Sequence, residues 1–154
     1  MDDIKQKRII ITTILLLMFA NFAAAQTSEE YAAMGAEAWS AFECSSLASH
    51  IKDSKEGERL FLFGYEQGKK FIRALKANKI EKEDISNGVP MIMLLLLEGP
   101  SEDFMLGRIY ENAQEHALEK VFKTDDKFNS EQFQKDIAKS EFWKRNCQFI
   151  GKHK

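Results

Sequence analysis

Three histidines, two cysteines and scattered acidic, tyrosine and arginine side chains are the groups of this chain that could do chemistry. His116 follows Glu115 directly, and adjacent helical positions point about 100° apart, so the two cannot easily share a ligand. The Glu-x-x-His spacing of di-iron bundles fails at this histidine, because Asn112 and Ala113 stand where the glutamate would be. The paired-histidine zinc motif, the serine elbow, the Walker loop and the dinucleotide glycine fingerprint are all missing. Gly64-Tyr65-Glu66-Gln67-Gly68 lies inside a helical pattern, not after a strand, and so is no phosphate loop. His50 and His153 read as structural or solvated. No metal, no cofactor and no catalytic residue is expected. Paired carboxylates could act on envelope sugars, but nothing singles out one pair among the many acids.

Cys44 and Cys147 form no Cys-x-x-Cys motif, and neither has a histidine within four residues. In an oxidising compartment an even pair reads as one disulfide. The chain-entropy model gives a loop of this length roughly 4–5 kcal/mol, a large share of a typical stability of about 5–15 kcal/mol.

Two segments concentrate recognition chemistry. Residues 99–111 combine the rigid Gly99-Pro100 turn with Asp103, Arg108 and Tyr110, and residues 63–69 contain Tyr65 and Glu66. Tyrosine and arginine supply much of the energy of protein interfaces. Tyr65, Glu66, Asp103, Arg108 and Tyr110 are therefore the candidate interaction residues.

The elements that must position them read almost entirely as helix. Thr27-x-x-Glu30 has the spacing of a capping box, opening a helix to about residue 51 with Cys44, Leu47, Ala48 and Ile51 on one face. After a polar break at 53–57, a second helix spans about 58–77, with Phe61, Tyr65, Gly68, Ile72 and Leu75 on one stripe. Gly64 and Gly68 each cost about 1 kcal/mol in a helix interior, which close crossing of a neighbour would offset. Residues 81–88 are acidic and then turn-like at Asn87-Gly88. Residues 89–97 form a short helix, apolar all round and so expected at the centre of the fold. Ser101 caps the next helix, to about residue 123, with Leu106, Tyr110, Ala113, Ala117 and Val121 inward. A turn at 124–127 leads to a last helix capped by Asn129, with Phe128 stapled on Phe133 and with Phe133, Ile137, Trp143, Cys147 and Ile150 inward. The expected fold is all-α, a compact bundle of about five helices whose first and last are tied by Cys44–Cys147.

Residues 1–25 look like a cleavable signal peptide. Lys5, Lys7 and Arg8 precede an apolar run at 9–20, and Ala23-Ala24-Ala25 precedes Gln26. The run is shorter than the roughly 20 residues that span a bilayer, so no stable membrane insertion is expected after cleavage. With no Asn-x-Ser/Thr acceptor in the chain, a bacterial periplasm is the expected location. Residues 26–154 are then one helical domain. The formal net charge is −2 with both signs interspersed, which leaves no electrostatic footprint for nucleic acid.

On the phrases around residues 59–70 and 99–111 the chain resembles a group of small exported proteobacterial helical proteins without an assigned activity. In layout, an exported helical domain with one cysteine near each end, it is similar to the periplasmic acid-stress chaperones of the HdeA kind. Those place a cysteine two residues after a tryptophan, whereas Trp39 precedes Cys44 by five. It is similar in the same way to periplasmic immunity proteins that block cell-wall amidases delivered by neighbouring bacteria. The expectation is a periplasmic protein-binding domain of inhibitor or immunity type, whose partner is another envelope or incoming protein. A stress chaperone, and then an envelope hydrolase, are the alternatives.

Overall fold

A computed structural model describes residues 26–152; the expected signal peptide at 1–25 and His153 lie outside the described residues. The architecture is all-α, with six α-helices among the described residues. They are α1 (Ser28–His50), α2 (Ser54–Lys76), α3 (Lys82–Gly88), α4 (Met91–Leu95), α5 (Glu102–Phe122) and α6 (Glu131–Lys144). A two-residue hairpin, β1 (Lys123–Thr124) with β2 (Lys127–Phe128), links α5 to α6, and a 3-10 turn (Cys147–Phe149) follows α6.

Helix α1 is the axis of the bundle. Its capping box forms as the spacing implies: Thr27 Oγ1 accepts from Glu30 N at 3.2 Å and Glu30 accepts from Thr27 N at 2.9 Å. From Ala41 to Ala48 every residue is buried, because α2, α3, α5 and α6 all pack on this one helix. Alanine and serine make that approach possible, and the serine hydroxyls are satisfied, Ser45 donating to Gly57 O and Ser46 to Phe42 O. Two apolar clusters share α1. One gathers Met34, Ala38 and Phe42 with Phe71, Met93 and Ile109. The other gathers Cys44 and Leu47 with Leu60, Val121, Phe142 and Cys147.

The centre of the fold is thus not the apolar run at 89–97. Pro90 and the Gly99-Pro100 turn confine that run to a five-residue helix, which offers only one face to the bundle. Val89, Met93 and Leu96 go inward, while Met91 is 72%, Leu95 65% and Ile92 41% exposed. An apolar circumference does not imply burial when the helix is too short to be surrounded.

Other boundaries shift for local reasons. Asp53 caps α2 by accepting from Glu56 N at 3.1 Å, so the polar stretch read as a break is the cap and first turn. The acidic stretch at 81–88 is helix α3, held to the start of α1 by Ser28, which accepts from Glu81 N and donates to Asp84. The cap of α6 is Ser130, not Asn129; the Asn129 amide donates instead to Lys120 O and Val121 O, closing the end of α5. With Ser130 as the cap, the staple positions move off Phe128 and Phe133, and both of these stay exposed. Ala138 and Phe142 form the buried face of α6, and Trp143, one step around the helix, is 54% exposed. Helix α6 ends at Lys144, and Asn146 at φ 55° reverses the chain. The disulfide therefore joins α1 to the turn after the last helix, with Cα atoms 5.5 Å apart.

Gly64 serves the α1–α2 crossing, and Gly68 the approach of α5 to α2. A Cβ at Gly64 would sit 2.9 Å from the Phe42 ring and 3.1 Å from Ala38 O, and one at Gly68 would overlap the Leu106 side chain.

Candidate interaction surfaces

The residues singled out from the sequence fall partly together. Tyr65 on α2 donates its hydroxyl to Asp103 Oδ1 on the first turn of α5 at 2.6 Å. The hydrogen bond to Asp103 holds the Tyr65 hydroxyl above the usual phenol range, with burial adding to the effect and Lys69 opposing it. Lys69 Nζ lies 4.9 Å from the Tyr65 ring centroid. The Tyr65 ring stacks on Phe61, which meets Tyr110 edge-on at 5.1 Å, and Tyr110 meets Phe42 likewise at 5.4 Å. Arg73 Nε bonds Glu102 at 2.9 Å along the same seam.

Tyr65, Asp103 and Tyr110 thus line one α2–α5 seam, but their polar and ring contacts are already made within the chain. Glu66 is exposed and joins none of them. Arg108 is half-buried and donates to Glu98 O at 2.8 Å, so it fastens the Glu98-Gly99-Pro100 loop to α5.

Two features were invisible in the local spacing. The first is Glu43, 5% exposed in the middle of α1. Its Oε1 lies 2.5 Å from His116 Nδ1 on α5, and its Oε2 accepts from Arg145 Nη1 at 2.8 Å at the end of α6. Both oxygens of a buried carboxylate are therefore satisfied, as burial demands. The His116 ring also packs 6.1 Å from that of Trp39. The only sequence signal was one acid inside the small-residue stretch from Ala41 to Ala48. Among the described residues no group of histidine, cysteine and acidic side chains could hold a metal ion.

The second feature is an open groove of about 950 Å³ along the C-terminal half of α5. Trp39 of α1, Ile92 of α4, Leu118 and Phe122 of α5 and Phe128 of β2 form its apolar lining. Phe122 is 41% and Phe128 79% exposed, and Phe122 is propped edge-on by His50 at 5.4 Å. The hairpin owes its position to a tight turn in which Asp125 and Asp126 both take positive φ, as in a type I′ turn. Glu111, Glu115 and Glu119 run along the groove beside the apolar side chains.

No protein-family model matches this chain, and no curated protein or solved structure matches it at a significant level.

Proposed function

We propose that this chain is an exported, periplasmic protein-binding domain that acts by occupying another protein, as an inhibitor or immunity factor does. The observation that carries the reading is the α5 groove, where Phe122 and Phe128 stand exposed beside Ile92 and Trp39 on a scaffold fixed by packing. Apolar side chains gathered along one open groove offer a partner a place to bury its own. The signal-like residues 1–25 support export, and the Cys44–Cys147 bond is compatible with an oxidising compartment. No helix among the described residues is long and apolar enough to cross a membrane.

A stress chaperone is the second reading, favoured by Met91, Ile92 and Leu95, which already lie exposed on α4. In-cell photo-crosslinking separates the two. A photoreactive residue replacing Phe128 should give one dominant protein adduct, and one replacing the exposed Leu62 should not. Many unrelated adducts would favour the chaperone, and none from any groove position would refute the protein-binding reading.

A further inference from the structure

We infer that the occupant of the α5 groove is an amphipathic protein segment that places apolar anchors between Phe122 and Phe128 and lysine or arginine side chains along Glu111, Glu115 and Glu119. This deepens the protein-binding reading and rests on it.

The three glutamates recur at i, i+4 and i+8, so they form one stripe of α5 alongside the apolar lining. Like charges at that spacing work against the helix that carries them. Some surface carboxylates are paired within the chain, Glu131 with Lys135 and Glu56 with Arg59. None of the three groove glutamates has an ion-pair partner among the described residues. Lys123, which also lines the groove, holds its Nζ 4.8 Å over the Phe128 ring, and the His116 side chain is turned to Glu43.

An apolar floor with an unpaired anionic flank selects its complement in two ways. Burial of anchors on Phe122 and Phe128 supplies attraction without sign. The glutamate stripe draws in cationic segments and rejects anionic ones, since like charges brought together at an interface are costly. A wholly apolar segment would leave the stripe unanswered, and an acidic segment would be repelled by it.

The test uses two short synthetic peptides with identical leucine anchors, one flanked by lysine and arginine and the other by glutamate. Binding to the full chain is read from Trp39 emission in a Trp143→Phe background and by calorimetry. The cationic peptide should bind at least about tenfold more tightly at low ionic strength, and that margin should shrink as salt screens the charges. Glu111→Gln, Glu115→Gln and Glu119→Gln together should bring the ratio close to one, while Phe122→Ala with Phe128→Ala should weaken both peptides by about tenfold or more. Equal binding of the two peptides, or a cationic margin that survives the glutamine substitutions, would overturn the inference. So would a dimer of the chain that Phe128→Ala dissociates, because a second copy would then fill the groove. If neither peptide binds while the residue-128 crosslink still yields one partner, this inference fails and the protein-binding reading stands.

Discussion

Glu43 is a side chain on which three elements depend. It bridges α1 to His116 of α5 and to Arg145 at the end of α6, and it is itself almost fully buried. Glu43→Ala leaves its partners to water, since the side chains of His116 and Arg145 remain 60% and 31% exposed. The cost should therefore be that of the lost hydrogen bonds to a carboxylate and not of stranded donors, about 1–3 kcal/mol in urea denaturation, and Glu43→Gln should cost less because its shape and acceptor persist. Tyr65 offers a second test. Its hydroxyl pKa is raised by donation to Asp103, so whatever stability the bond contributes is present below the unfolded tyrosine pKa and is lost as pH rises through the folded value. Tyrosinate absorbance should show one phenol titrating late, absent in Tyr65→Phe and moved to lower pH by Asp103→Asn. The cysteine pair was readable from its even count and the signal-like residues 1–25. The Glu43–His116 contact was not, because it joins positions 73 apart through folding rather than through any local spacing.

Long helices announce themselves and short ones do not. The extents of α1 and α5 follow from the Thr27 and Ser101 caps and from runs of 23 and 21 residues without a proline. The elements α3, α4 and the hairpin are each seven residues or fewer, too short for periodicity to separate a helix from a turn. The run at 89–97 misleads most, because composition predicts burial only when an element is long enough to be enclosed. The groove stayed hidden for the same reason. It is assembled from one side chain of α1, one of α4, one from each hairpin strand and a stripe of α5, and its geometry depends on the short connections. The glycines of α2 behave as their spacing suggested, and they differ testably. Gly64→Ala should destabilise by about 1–3 kcal/mol, since the Phe42 ring and a backbone carbonyl cannot both withdraw. Gly68→Ala should cost less, because the Leu106 methyl it meets lies at the end of a side chain that can rotate, and alanine favours the helix by about 1 kcal/mol. Thermal unfolding of the two variants in parallel checks the ranking.

The molecule is a helical bundle closed on itself by a bond between residues 103 apart. That closure pins the turn after α6 against the middle of α1, next to the buried Glu43. Reduction, or Cys44→Ala with Cys147→Ala, should remove about 4–5 kcal/mol on the chain-entropy model and lower Tm by roughly 10–20 °C. A change of only a degree or two by calorimetry would show that packing around Cys44 suffices without the bond. With the termini of the bundle held, the α5 groove is presented on a fixed frame and its exposed aromatics need little ordering to bind, which lowers the entropic cost of association. The measurement that tests this account most directly is amide hydrogen exchange of the chain, free and in complex with the partner captured through residue 128. Exchange should slow across the second half of α5 and through the hairpin at 123–128, with the Tyr65–Asp103 seam unchanged. Slowing confined to that seam, with the groove amides unaffected, would contradict it.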